Sequence, residues 1–371
     1  ITAELGFMRL PFMNTIMLDD KGIRNSSILN LSTKNLRELG LRGIKSEEAQ
    51  LLFSDSEEKD IIFMEKKYLL DNEFSKKIIS HKNKAILIPL QLEDDSNIVN
   101  SRFNSVTSFL EEVLPPLIEK NFMCIIKPHP KYNNSKINFK SYKKSKNYCN
   151  SLKNSNVIWY ESKSANEGYI RLLSMIDSVI TVNSSVGFES IMFDKEVCVL
   201  ESPPYRAKGV FLDIHSIIND DYNKSQYLKD ISILREFLLF SYLAPRDYIF
   251  QENNFINRVN DMVNISLNSE NDLQWAKNMI NMFYIKYKSK MAYNLINDKS
   301  EMFYNNLTRS SSIRKVKSVL SLKIRNKKIR LFIFNKKRNT SYIRGSDAKR
   351  IFSTKLFANL KIEVWLTKYE K

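Results

Sequence analysis

Glycine and proline are scarce in these 371 residues, at 8 and 9, and histidine and cysteine are scarcer still, at three each. Three widely spaced cysteines, Cys124, Cys149 and Cys198, form no C-x-x-C pair and no Cys/His ligand spacing. That argues against a structural zinc site and fits a reducing compartment. Cys124 and Cys198 lie inside the apolar runs FMCII and EVCVL, where a buried thiol behaves as a small hydrophobe. No apolar run approaches the roughly 18 residues that a membrane-spanning helix needs. Neither a P-loop nor a G-x-G-x-x-G occurs, which argues against an NTPase or a dinucleotide enzyme. Internal repeats and low-complexity linkers are also missing. The shortage of glycine and proline beside abundant Lys, Asn, Ile and Ser is a compositional bias without bearing on mechanism.

What is present is a globular composition, 43% hydrophobic and 11% aromatic, in a chain long enough for two structural units. The formal net charge is +17 and unevenly placed. Residues 301–350 carry 15 Lys or Arg against two acids, Glu301 and Asp347, so this stretch holds most of the excess. A polyanion or an anionic membrane surface suits such a stretch, and a solvated basic face is the alternative.

Between residues 84 and 200 short apolar runs alternate with amphipathic stretches. Residues 85–90 (AILIPL), 122–127 (FMCIIK), 156–160 (NVIWY), 178–182 (SVITV) and 196–200 (EVCVL) read as buried strands. Residues 102–120, 167–175 and 184–193 read as helices, with Pro115 and Pro116 expected to disturb the end of the first. This pattern predicts a parallel, doubly wound α/β sheet, whose ligands gather at the carboxyl ends of the strands. Residues 1–80 are less regular. Beyond residue 213 the pattern is mainly helical, with 227–243 and 274–297 the best candidates.

Chemistry-bearing residues follow the predicted strands. After the first comes PLQLEDDSN, with Gln91, Glu93, Asp94, Asp95 and Ser96. A carboxylate there serves as a nucleophile or general base, or the loop simply caps the next helix. After the second comes KPHP, where two prolines stiffen the backbone around Lys127 and His129. Lys127 can neutralise a phosphate and His129 can donate to its oxygens; the alternative is a structural histidine. After the fourth comes TVNSSVGFES, where Ser184 and Ser185 open a helix whose free amides suit an anion. Gly187 allows close backbone approach, and Glu189 lies one turn beyond Ser185. An ordinary serine cap is the plainer reading. Last comes SPPYRAKGV, with Tyr205, Arg206 and Lys208, suited to an acidic sugar or to a surface turn.

In order along the chain, ELGFMR (residues 4–9), LDDKGI, PLQLEDDS, IIKPHP and VITVNSSVGFES resemble the bacterial capsule polysaccharide synthesis proteins. These are β-Kdo transferases that extend a lipid-linked Kdo primer from CMP-Kdo. The resemblance covers about residues 4–210. It implies a GT-B-like α/β fold of Rossmann-type parallel sheets flanked by helices, followed here by a mainly helical, basic C-terminal extension. Residues 1–80 would then be the remainder of an acceptor-side Rossmann-like domain, and 81–215 the CMP-binding one. Residues 216–300 would pack back on the core, and 301–371 would form the basic extension.

The resemblance further implies that His129, Ser184 and Ser185 grip the CMP phosphate, with Lys127 near the nucleotide, Glu189 on its ribose and Pro130 also in the donor-binding set. Gln91 and Asp95, as Q-x-x-x-D, would flank the anomeric carbon. Asp95 is the chosen nucleophile of a retaining double displacement and Glu4 the acid/base partner. Their roles are interchangeable at this point, and Asp94 stays open as a substrate contact. Arg9 would lie near the sugar carboxylate and Tyr205 near the substrate. No metal or cofactor is required beyond the CMP-sugar donor. Two departures stand out: relatives carry a further segment ahead of E-x-G, and the surroundings of Tyr205 differ from the common pattern. The sequence starts at Ile1 inside an apparent element, so a preceding segment is expected.

Rival readings are a CDP-glycerol-type polymerase, a CMP-sialic acid transferase, and a non-catalytic module recruiting polysaccharide or membrane. Nucleic acid is not expected as a partner, because the charge is confined to one stretch and no nucleic-acid-binding motif occurs. The expected partners are the nucleotide-sugar, a lipid-linked glycan acceptor and an anionic membrane. The expected location is peripheral, on the cytoplasmic face of the bacterial inner membrane.

Overall fold

The computed structural model describes residues 2–7, 15–19, 31–50, 72–95, 98, 101–161, 169–201, 205, 207–251, 253–297, 316–324, 327–334 and 363–368. They fall into two compact units, Ile1–Met291 and Ala292–Lys371.

In the first unit β1 (Thr2–Leu5) and β2 (Thr15–Asp19) pair antiparallel, Glu4 opposite Met17. The larger sheet comprises β3 (Ala85–Pro89), β4 (Met123–Lys127), β5 (Val157–Trp159), β6 (Ser178–Thr181) and β7 (Glu196–Val199). All five strands are parallel, in the order β5-β4-β3-β6-β7. Each expected strand forms within a residue or two of its expected limits. The runs are short and apolar because helices cover both faces. Ile86, Ile88, Cys124 and Ile126 face Phe109, Leu110, Val113 and Leu117, while Leu87, on the opposite face of β3, is equally buried. The three cysteines are buried, and burial pushes the thiols of Cys124 and Cys149 up to about 12.

The helix Val106–Glu119 starts at a reciprocal cap. Ser105 Oγ accepts from Ser108 N at 3.0 Å, and Ser108 Oγ accepts from Ser105 N at 3.0 Å. It runs on through Pro115 and Pro116 without ending there. The carbonyls that lose a donor belong to Glu111 and Glu112, on the exposed face, where water replaces it. The helix Lys136–Ser151 is a feature the sequence reading passed over. Its buried side includes Asn138, Ser145 and Cys149, so no apolar stripe announces it.

The chain from Ile214 to Asn297 is chiefly helical, as expected. Between the helices Lys224–Phe237 and Arg246–Ile249 lie a π-turn, Leu238–Tyr242, and β8 (Leu243–Pro245). β8 returns to the N-terminal strands, pairing antiparallel with β2 in a sheet β1-β2-β8. Where a second Rossmann-like portion is expected, in residues 1–80, the described strands are therefore antiparallel. Arg258 fixes the π-turn: its Nη2 donates to the Ser241 and Tyr242 carbonyls at 3.1 and 3.2 Å, with the guanidinium 3.4 Å over the Phe283 ring.

The described elements of residues 301–371 are the strands β9 (Val316–Ile324), β10 (Lys327–Phe334) and β11 (Glu363–Lys368). They pair antiparallel in the order β10-β9-β11. Ile329, Leu331 and Ile333 recur at a period of two, the strand period, and in this segment that alternation prevails over helix formation.

At the amino end of the parallel sheet Lys84 Nζ donates to Glu196 Oε2 at 2.9 Å, to the Ile217 carbonyl at 3.0 Å, and to Asp220. Glu196 is nearly inaccessible and also accepts from Ser178 Oγ at 2.6 Å. Lys84→Met leaves that carboxylate without its nearest cation. The expected loss is about 3 kcal/mol of unfolding free energy by urea titration, and a loss within error would remove the ion pair as a support of the sheet.

Candidate active site

From β3 the chain moves outward to β4 and β5, then crosses back to place β6 and β7 on the other flank. Doubly wound sheets bind ligands in the crevice that such a reversal leaves beyond the strands' carboxyl ends, here between the loops leaving β3 and β6. Gln91, following β3, donates through Nε2 to Asn183 Oδ1, following β6, and so bridges the crevice floor. Gln91 Oε1 is buried and accepts no hydrogen bond from the described residues.

Three consecutive carboxylates follow Gln91, and their neighbours separate them. Glu93 Oε2 accepts from Val106 N at 3.0 Å and from Ser141 Oγ at 2.6 Å, joining the starts of two helices. Asp94 accepts from Asn138 Nδ2 at 2.9 Å on both oxygens and from Ser135 Oγ at 3.1 Å. Asp95 alone of the three acts electrostatically on His129, favouring its charged form. The Asp94 carboxylate, expected as a substrate contact, clamps the helix Lys136–Ser151.

The β4 loop supplies Lys127 and His129. His129 Nδ1 accepts from Lys131 N at 3.1 Å, so the neutral ring carries its proton on Nε2, where it can donate to a ligand. Burial, together with Lys127 and Lys131, holds His129 below its ordinary value, while Asp95 opposes. Half-buried Lys127 lies 5.4 Å from the Tyr169 ring centroid; burial lowers its pKa and Glu189 opposes. Pro130 is exposed, and the turn closes through Tyr132 N to the His129 carbonyl at 3.0 Å. An ammonium and an imidazole N–H donor held at one strand end suit a phosphate.

The β6 loop supplies Ser184 and Ser185, both half-exposed at the start of the seven-residue helix Ser185–Ile191. Ser184 Oγ accepts from Val186 N at 3.3 Å. Tyr205, expected at the substrate, is instead buried beneath this turn and donates to the Ser184 carbonyl. Glu189, expected on the ribose, is also buried; it accepts from Tyr169 and faces Lys127. At 6% exposure its carboxylate acts on the site from below.

The N-terminal motif reaches the same place. Phe7 packs on Phe188 at 4.6 Å and on Tyr205 at 5.4 Å between centroids. The E-x-G-F segment thus meets the floor of the serine loop. Its glycine is required by contact: a Cβ on Gly6 would lie 2.0 Å from Thr15 Oγ1. Glu4 sits on β1 two residues before it, while Arg9 lies outside the described residues, as do Ser96 and Arg206.

Sequence reasoning missed Asn183, Glu93 in its capping role, Asn138 and Tyr169. Asn183 and Glu93 stood inside the quoted motifs, but their roles need the two loops side by side. Asn138 belongs to the unrecognised helix. Among the described residues no group of three or more His, Cys, Asp or Glu is arranged to hold a metal ion.

Residues 56–236 match the family model described as "Capsule polysaccharide biosynthesis protein", a span that includes all three strand-end loops. Among solved structures the chain is similar to the "beta Kdo 2,7 transferase" of Thermosulfurimonas dismutans KpsC. Identity is 20%, over 71% of this chain and 77% of that one, with a TM-score of 0.35. It is similar too to the "beta Kdo 2,4 transferase" of the same protein, at 14% identity, 69% and 78% coverage and a TM-score of 0.38. No curated protein matches the sequence. The resemblance carried by the motifs thus agrees with the family model, which is that of capsule polysaccharide biosynthesis proteins.

Gly187 tests the packing under the serine loop. A Cβ there would lie 2.5 Å from Tyr205 Oη. Gly187→Ala is expected to cost about 1–3 kcal/mol by overpacking. In Tyr205→Phe the same alanine should add little, since the clashing atom is gone; equal costs in both backgrounds would contradict the contact.

His129 gives a pH signature. Its folded-state pKa lies below the ordinary value, so the unfolded chain binds its proton first on acidification. The wild type should lose stability relative to His129→Asn as pH falls below about 6.5, with no difference in trend above it. Parallel denaturation curves at pH 7 and pH 5 for both proteins would show the opposite.

Proposed function

We propose that this chain, whose central segment matches the capsule polysaccharide biosynthesis family, is a glycosyltransferase acting on a CMP-activated acidic sugar, Kdo or a close relative. Its acceptor is a lipid-linked glycan. The observation that carries the reading is the meeting of three adjacent strand ends at one crevice. β4 brings Lys127 and His129, β3 brings Gln91 and Asp95, and β6 brings Ser184 and Ser185. The choice of Kdo rests on the E-x-G-F and Q-x-x-x-D segments of the motif resemblance.

A CMP leaving group has one phosphate. His129 Nε2–H, the Lys127 ammonium and the two serine hydroxyls can stabilise the charge it gains as it departs. In the first step the Asp95 carboxylate attacks the anomeric carbon and the bond to the phosphate oxygen breaks, releasing CMP. In the second an acceptor hydroxyl attacks the same carbon, its proton passes to Glu4, and Asp95 is released. Two inversions retain the anomeric configuration. Gln91 Oε1, buried at the crevice floor, offers an acceptor to a sugar hydroxyl. Glu189 offsets the buried Lys127 charge from beneath rather than contacting ribose.

The basic stretch 301–350 supports peripheral attachment to an anionic leaflet, at about 1 kcal/mol per basic residue near the surface. Among the described residues no helix is long and apolar enough to cross a membrane.

The test is CMP release from CMP-Kdo, CMP-sialic acid and CDP-glycerol, each with a Kdo-terminated acceptor. Turnover of CMP-Kdo alone is expected. His129→Ala should lower it about 10²–10³-fold, the cost of one lost donor to developing charge. Asp95→Asn should abolish covalent intermediate formation, read by mass spectrometry of the intact protein. CMP binding without turnover of any donor would indicate a non-catalytic domain, and absence of CMP binding would overturn the reading.

A further inference from the structure

The helix Lys136–Ser151 carries five lysines, Lys136, Lys140, Lys143, Lys144 and Lys146, and no acid. It also carries aromatic rings that the chemistry above does not use. Tyr132 and Tyr142 stack with centroids 4.0 Å apart and planes at 12°. Phe139 continues the stack from Tyr142 at 6.3 Å and 8°, and Trp159 meets Tyr142 edge-on at 5.5 Å. The outer end is open: Phe139 is 41% exposed and Ile137 60%. Lys143 Nζ lies 4.4 Å from the Phe139 centroid and Lys146 Nζ 5.7 Å from that of Tyr142.

At its inner end the stack joins the crevice. Tyr132 N donates to the His129 carbonyl at 3.0 Å. Gln91, Glu93, His129, Tyr132 and Tyr142 line one small cavity. The helix is bolted to the loop that bears Asp95, through Asn138 to Asp94 and Ser141 to Glu93. Whatever lies along the rings is therefore held at a fixed distance from the reacting carboxylate.

We propose that this aromatic and lysine-lined face is the acceptor subsite, a track for an oligosaccharide that bears carboxylates. Phe139 and Ile137 present exposed apolar surface to the C–H groups of sugars at the outer end of the stack. Lys136, Lys140 and Lys143 share the Phe139 side of the helix at spacings of three and four, and they supply positive charge for sugar carboxylates. Nucleic acid or peptide would not need the track to end at a sugar-transfer crevice. The assignment of the occupant as acceptor rests on the function proposed above.

Binding is measured by calorimetry on the full chain, with an oligogalacturonate hexamer as the carboxylated sugar probe. Maltohexaose, polyglutamate and CMP are the controls. The hexamer should bind more tightly than maltohexaose or polyglutamate, and weaken with salt. Phe139→Ala/Lys143→Gln should weaken it about tenfold while CMP binding stays unchanged. Lys136→Glu/Lys140→Glu, on exposed positions, should do the same, so a folding failure of one variant leaves the other to decide. Equal hexamer binding by wild type and variants would overturn the proposal, as would equal binding of polyglutamate. Loss of CMP binding in the variants would assign the rings to the donor and overturn it too. Hexamer binding at this face with no CMP binding by the wild type would sink the glycosyltransferase reading while leaving the anionic-sugar surface standing.

Discussion

The reversal of strand order at β3 is the constraint from which the rest of the site follows. Because β4 and β6 lie on opposite flanks of β3, the loops beyond all three strands emerge side by side at the point where the strand order reverses. A sheet with its strands in simple succession would send those loops the same way and leave no crevice. The Gln91–Asn183 hydrogen bond sits at this point and joins the loops leaving β3 and β6.

Rigidity around the crevice comes from groups that do not themselves act there. Glu93 and Asp94 anchor two helix starts, and Tyr205 supports the Ser184 carbonyl. Phe7 lies under the serine loop and ties the N-terminal segment to the β6 side of the sheet. A side chain that must meet a developing charge benefits from such support, since the energy of reorganising it is removed from the reaction. The three adjacent carboxylates show the principle most plainly: two are committed to backbone and amide donors, and they fix the loop that presents the third.

Electrostatics at the site are tuned by burial. Lys127 and His129 both sit where the charged form is disfavoured, and each has a carboxylate partner opposing that tendency, Glu189 and Asp95 respectively. An incoming phosphate would complete what the protein leaves partly uncompensated, so anion binding is favoured by the frame rather than by a single contact.

The sequence by itself determined the five parallel strands, because runs such as AILIP and MCII are apolar at every position and only a sheet covered on both faces buries them fully. It also determined which loops bear Gln91, Asp95, Lys127, His129, Ser184 and Ser185, since those follow the strands directly. It did not reveal the helix Lys136–Ser151, whose buried side holds Asn138 and Ser145 and so lacks an apolar period. The folded chain alone decided that β8 returns to β2, that Tyr205 and Glu189 lie under the serine loop, and that Asp94 clamps a helix while Asp95 favours the charged form of His129. The physical reason is range: strand formation and turn chemistry are set by neighbours a few residues apart, whereas the burial and partners of a polar side chain depend on segments brought together from distant parts of the chain.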